Sequence, residues 1–239
     1  MTLRTKIADP AVAQISAEKD DRSARARILA AAEEVFAQYG YDGGSLRQVA
    51  HKADVPVGLV SYHFKGKFGL YRAVFEARVP SIVEQRLAGL ALADLETDPD
   101  RKLELVVKSL LVPMLRLRLT EQGRKFAQLL FREVMDPASA ERDIIRSLIN
   151  PVSEAFMKRF REMLPDRTDV SVDWGYGAMM GAMLYIVGGG GRLKSVTHGR
   201  ADPDDVQAAT ENLVSFVLAG LRRGLPGSLT PRSEQAVQS

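Results

Sequence analysis

SLRQVAHKADVPVGLVSYHFKGK, residues 45–67, is the stretch on which the fold turns. Leu46, Val49 and Ala50 recur at helical spacing, and Ser45 followed three residues later by Gln48 has the form of a capping box. Ala53-Asp54-Val55 predicts a tight turn in which Asp54 takes a left-handed backbone. Pro56 suits a first helical turn, where its missing N–H is no loss, and predicts a second short helix through His63. Two short helices across a tight turn make a helix-turn-helix, whose second helix can enter a DNA major groove. A packed helix pair with no partner is the alternative reading of the same residues.

The charge of the stretch is one-sided: Arg47, Lys52, Lys65 and Lys67 stand against Asp54 alone. Ser61, Tyr62, His63 and the lysines can donate to phosphates, and Gly58 lets a helix approach a backbone closely. Val57, Leu59 and Val60 can meet thymine methyl groups.

Upstream, residues 22–39 predict an amphipathic helix, with Ile28, Ala31, Ala32, Val35, Phe36 and Tyr39 on one face. Arg22, Arg25 and Arg27 near its start oppose the helix dipole, which an external anion would relieve. Gly40 predicts a left-handed stop, and Gly43-Gly44 a turn. Residues 1–21 have no sustained period and are expected to be a flexible arm. Downstream, Leu70, Val74, Ala77 and Val79 stripe a long helix that Pro80 is expected to kink or break.

Composition sets the limits. The chain has 239 residues, 46% hydrophobic and 26% charged, with a net charge of +3 and no cysteine. That is ordinary for a soluble globular protein, and it excludes disulfides, thiolate metal sites and a cysteine nucleophile. A reducing, cytoplasmic setting fits. The most apolar run, residues 178–187, is too short to span a bilayer. His51, His63 and His198 lack metal-ligand spacing. No cofactor and no metal are expected.

Residues 36–70 also carry a resemblance. Phe36, Gly40 and Tyr41, then Ser45 to Ala50, then Val55 to Phe64, then Lys67 and Leu70, resemble in order and spacing the DNA-binding domain of the tetracycline-repressor (TetR) family over residues 22–79. The resemblance implies an all-α homodimer that binds double-stranded operator DNA. Carried over by position, it places Ser45 and Lys67 on phosphates and Val57, Gly58, Leu59, Ser61, Tyr62 and His63 at the groove. Arg47, Gln48 and Lys65 complete the expected DNA-binding set. Three positions depart from the family pattern: Asp54 stands at a turn usually glycine, Pro56 at a usual serine or threonine, and Phe68 at a usual acid.

The remainder predicts a larger helical domain over residues 80–225 and a flexible tail over 226–239. Helices are expected at about 101–119, 122–135, 138–164, 170–190 and 204–224, with Pro113 and Pro151 interrupting two of them. In the fourth, Gly177, Gly181, Leu184 and Gly188 share one face, and Val172, Tyr176, Met179, Met183 and Ile186 lie almost opposite. The small face, with Leu213, Phe216, Val217 and Gly220 of the last helix, is the expected dimer interface. Gly188 to Gly191 lack the Lys-Ser/Thr of a phosphate loop and are expected to end or loosen the helix.

Large, soft apolar residues suit an effector cavity: Leu110, Met114, Phe126, Leu130, Phe131, Met135, Phe156, Trp174, Tyr176, Met179, Met180 and Met183. Arg132, Arg124 and Tyr176 are the candidates for an anionic group on the ligand. Leu130-Phe131-Arg132-Glu133, Asp136-Pro137, Pro151 and Gly191-Arg192-Leu193 are similar to the effector domain of the PsrA-like subgroup, which implies an apolar or acyl-like effector. The expected function is a ligand-responsive regulator, most simply a repressor released by a small apolar effector. A ligand-dependent activator or co-repressed regulator uses the same parts with opposite coupling sign. A helical carrier or enzyme is the other class, and no nucleophile–base arrangement or suggestive carboxylate pair supports an enzyme.

Overall fold

The computed structural model describes residues 10–225, with side chains from residue 21. Among the described residues every regular element is a helix, as the all-α expectation has it. The chain divides into two compact units between Ala77 and Arg78.

In the first unit, α1 (Pro10–Gly43) leads into α2 (Leu46–Ala53), α3 (Val57–Phe64) and the start of α4 (Lys67–Ala93). Helix α1 begins at Pro10, so residues 10–21 of the expected arm are helical. Ala, Gln, Glu and Lys make up half of that segment, and the helix forms there without a sustained apolar stripe. Residues 1–9 and the expected tail, residues 226–239, lie outside the described part. Ala24, Ile28, Ala31, Ala32, Val35 and Phe36 are buried, whereas Tyr39 is 47% exposed and leaves the stripe. Helical geometry fails at Gly40, as expected of a stop, but its φ of 71° pairs with an extended ψ of −176°, a region open mainly to glycine. Tyr71 of α4 anchors this unit, edge-on to Phe36 at 4.9 Å and to Phe75 at 5.2 Å.

Helix α4 runs unbroken with Pro80 inside it. The proline removes one donor, while buried Val79 and Ile82 on either side keep the helix seated. In the second unit α5 (Pro99–Leu115) is followed by a 3₁₀ turn, Arg116–Leu119, and then by α6 (Glu121–Met135). Caps start both helices: the Asp98 carboxylate accepts from Arg101 N–H at 2.8 Å, and the Thr120 hydroxyl accepts from Gly123 N–H at 3.0 Å. Pro113 sits inside α5 without ending it.

The single helix expected over 138–164 is three: α7 (Ser139–Arg142), α8 (Ile144–Leu148) and α9 (Asn150–Met163). Asp143 takes a left-handed backbone, φ 57°, which separates α7 from α8. Pro151 opens α9 in its first turn rather than interrupting a helix. Helix α10 (Asp169–Val196) passes straight through Gly188–Gly191, so the glycine run neither ends nor breaks it. Packing explains this. A Cβ at Gly188 would stand 2.5 Å from Phe131, and one at Gly190 would stand 2.6 Å from Pro203. The glycines let neighbouring side chains close on the helix, and that burial offsets their low propensity. Helix α10 packs on α6, and α11 (Val206–Ala219) packs on α5 before a π turn at Gly220–Gly224.

Candidate nucleic-acid interface and effector cavity

The expected helix-turn-helix is present. The Ser45 hydroxyl accepts from Gln48 N–H at 3.2 Å and donates to Gln48 Oε1 at 2.8 Å, so the cap is built through the two side chains. Asp54 closes α2 with φ 52° and ψ 56°, the left-handed turn read from the sequence. Pro56 is the N-cap of α3 rather than its first helical residue, and it offers no side-chain cap. Lys65 and Gly66 both have positive φ beyond α3 and turn the chain into α4. Gly69 seats that turn, because a Cβ there would lie 2.0 Å from the Phe64 carbonyl oxygen.

Helix α3 buries Val60 and Phe64 and exposes Val57, Gly58, Ser61 and Tyr62. Tyr62 is 78% exposed. Arg47 and Gln48 of α2 and Lys65 after α3 are exposed too, while Ser45, Leu59 and Lys67 are half-buried. A Cβ at Gly58 would meet nothing within 4 Å, so the protein's own packing does not require this glycine. Lys67 already has work within the unit: its ammonium donates to the Asp42 carbonyl at 3.0 Å and lies 4.8 Å from the Tyr41 ring centroid. Three N–H donors leave it capacity for a phosphate as well.

His63 does not belong with the expected groove residues. It stands three residues after buried Val60, on the inward face, and its side chain is only 6% exposed. Its Nε2 lies 3.3 Å from the Asp21 carboxylate, close enough to pair when protonated but not aligned as a hydrogen bond. Arg25 stacks over Phe64 at 5.2 Å, which ties α1 to the end of α3.

The second unit holds an apolar cavity of about 180 Å³. Met114, Leu130, Tyr176, Met180 and Met183 line it, as the sequence suggested. The other candidates are elsewhere. Leu110, Phe126 and Phe156 are fully buried core, Phe131 packs on Gly188, and Met179 faces a separate groove toward α11. Trp174 and Met135 are 77% and 64% exposed and Arg132 is exposed, so none of the three lines the cavity. Arg124 donates to the Arg118 carbonyl at 2.7 Å on the surface. Apolarity alone does not separate core from cavity lining, since both want the same residues.

Sequence reasoning passed over α4. Val79, Ile82, Val83 and Arg86 all line the cavity. Val79, Ile82, Val83, Arg86 and Leu90 follow i, i+3, i+4, i+7 and i+11, so an arginine in an apolar stripe was the available signal. Arg86 is 5% exposed. Its Nε donates to the Leu110 carbonyl at 3.0 Å, and Nη2 lies 3.9 Å from the Met183 sulfur. Burial pulls the guanidinium down to about 10, partly countered by Tyr176, so it stays charged at neutral pH.

A different buried cation shows the usual arrangement. Arg142 pairs with Glu133 at 2.8 Å and with Asp136 at 2.6 Å, and Ser139 donates to the same Glu133 carboxylate. Burial would lower Arg142, but those bonds raise it above its ordinary value.

The expected dimer face is partly redrawn. Gly177 and Gly181 are exposed, and a Cβ on either would meet nothing within the chain. Trp174, Tyr185 and, from α11, Phe216 at 71% exposure are exposed as well. Leu184 lines the cavity, Gly188 holds Phe131, and Leu213 and Val217 are buried within the chain itself. Gly220 is half-buried at the groove toward α10. Among the described residues no helix is long and apolar enough to cross a membrane, and no cluster of side chains suits a metal ion.

Residues 28–74 match the model of the bacterial regulatory proteins of the tetR family, and residues 108–220 match a tetracyclin repressor-like C-terminal domain. Over 140 residues the chain is 29% identical to the HTH-type transcriptional regulator SrpR of Pseudomonas putida, a match that takes in 59% of each protein. The same identity over the same length relates it to the uncharacterized HTH-type regulator TtgW, also of Pseudomonas putida, 59% of this chain and 93% of that one. In fold it is similar to the transcriptional regulator FadR of Bacillus subtilis solved in complex with stearoyl-CoA. The TM-score is 0.55 at 17% identity, over 81% of this chain and 97% of that one.

Proposed function

Because the chain belongs to the tetR family of bacterial regulatory proteins, we propose that it is a ligand-responsive repressor that binds a palindromic operator as a homodimer and leaves it when a small apolar effector enters the second unit. The observation that carries this reading is the exposed face of α3. Val57, Gly58, Ser61 and Tyr62 stand clear, with Arg47 and Lys65 nearby and no ion pair to either among the described residues. Such a face supplies phosphate donors beside apolar contacts for base edges.

The dimer is assigned to the exposed side of α10 and α11, where Trp174, Gly177, Gly181, Tyr185 and Phe216 leave an apolar surface uncovered. Exposed aromatic groups around small residues are what a close-packed helical interface uses. The effector site is assigned to the cavity beside α4. Half-sites in such dimers lie one helical turn, about 34 Å, or a multiple apart, so a modest shift of α4 spoils register. A cytoplasmic location belongs with this role.

Selection from a pool of random duplexes, over a salt series, tests the reading. The expected result is an enriched palindrome bound with an affinity that falls as salt rises. Failure to enrich any sequence, with the protein folded, would remove DNA recognition from the function.

A further inference from the structure

We infer that the effector carries a carboxylate, held inside the apolar cavity by Arg86. The inference rests on the cavity being the effector site and goes further, to the chemistry of the ligand's head.

Arg86 is the one charged residue among the described residues lining the cavity. It is buried, and no carboxylate among the described residues pairs with it. One carbonyl and one thioether sulfur face a group with five N–H donors, and thioether sulfur is a weak acceptor. Arg142, buried in the same unit, has two carboxylates and a nearby hydroxyl around it. Burying a cation is costly unless a counter-charge meets it. In the Arg142 network the chain supplies that counter-charge, and at Arg86 the ligand does.

The shape of the group narrows the choice. A guanidinium fork matches the two oxygens of a carboxylate. Tyr176, Asn150 and Ser153 also line the cavity and can donate to the same anion. One cation neutralises one negative charge, so a phosphate or a dicarboxylate would be left short. The walls are otherwise aliphatic, with Val79, Ile82, Ile145 and Ile149 among them, which suits a hydrocarbon body. A cavity of about 150 Å³ holds benzene. At about 180 Å³ this one takes a body of about six carbons with its head on Arg86.

Position gives the head group leverage. Arg86 on α4 is bonded to Leu110 on α5. A carboxylate competes for the same N–H groups and changes how α4 is held to α5. The same helix α4 begins at Lys67, in the DNA-reading unit.

Calorimetric titration of the full-length protein with butyrate, hexanoate, octanoate and dodecanoate, each beside the 1-alkanol of equal length and the matching acyl-CoA, tests the inference. The expected result is an optimum at hexanoate or octanoate, with the acid at least tenfold tighter than its alcohol. Arg86→Met, and Arg86→Gln as a second variant, should each erase that preference, so that acid and alcohol of equal length bind within about threefold of one another. Equal binding of acid and alcohol by the wild type would overturn the inference while leaving the cavity an apolar effector site. An acyl-CoA that binds tenfold tighter than the free acid, and is indifferent to Arg86→Met, would overturn it by placing the recognised head outside the cavity. Binding of none of these probes would overturn the inference, while the duplex selection tests the regulator reading separately.

Discussion

The two units hold the groups assigned to function in opposite places. In the first, the polar groups that matter stand at the surface of a short helix pair, and the core beneath is Val60, Phe64, Phe36 and Tyr71. In the second, charge is taken inside, with its carboxylate partners at Arg142 and, among the described residues, without one at Arg86. The first design makes function separable from stability, since Tyr62 is 78% exposed and its ring contact among the described residues is with its neighbour His63, at 5.4 Å. The second ties them together, because a buried charge acts on the fold whether or not a ligand is present.

That contrast can be broken most forcefully at Glu133, which is 1% exposed. Glu133→Ala strips the main carboxylate from buried Arg142 and should cost about 3–5 kcal/mol in chemical denaturation. A loss below about 1 kcal/mol would mean that Asp136 and solvent suffice, and that the second unit tolerates buried charge freely. On the other side, Tyr62→Ala should leave the denaturation midpoint unmoved and weaken duplex binding about tenfold, as expected for one lost phosphate or base contact. A stability loss with unchanged binding would reverse the contrast.

Gly58→Ala sharpens it further. In the protein alone the new methyl meets nothing, so helix propensity should raise stability by about 0.5–1 kcal/mol. On DNA the same methyl occupies the space of closest approach, and operator affinity should fall. Stability and binding measured on one protein preparation would show the opposite signs.

The smallest effect concerns pH. The Ala138 N–H and then Arg142 hold the Asp136 carboxyl below its usual range. A carboxylate depressed in the folded state contributes stability that is fully present above its unfolded value, about 4, and lost as pH falls through the lower folded value. Asp136→Asn should therefore flatten the stability profile below pH of about 4 and leave it parallel to wild type near neutrality.

The same difference between the units decides how much was legible beforehand. The helix-turn-helix is local: the Ser45 cap, the Asp54 turn and the exposed row from Val57 to Tyr62 all lie within a few residues of one another, where periodicity and capping rules operate directly. Even there, His63 needed the packing of α1, because an eight-residue helix shows its inner face only when its partner is known. The cavity is assembled from α4, α5, α6, α8, α9 and α10, and which of the methionines and phenylalanines face it depends on how these helices pack. Phe126 and Met180 look alike as letters; one is core and the other lining. The glycine run at 188–191 misleads for a related reason. Propensity argues for a helix end, and contact with Phe131 and Pro203 overrides it. Arg86 was readable, as an arginine where an apolar residue was due.

The most direct test of the account is release. The enriched duplex, labelled and bound at moderate salt, is titrated with hexanoate and with 1-hexanol while anisotropy follows the complex. The account predicts dissociation of the wild-type complex by an apolar ligand of this size. Tighter binding in the presence of every ligand that enters the cavity, or no response to any of them, would contradict a repressor relieved through the second unit.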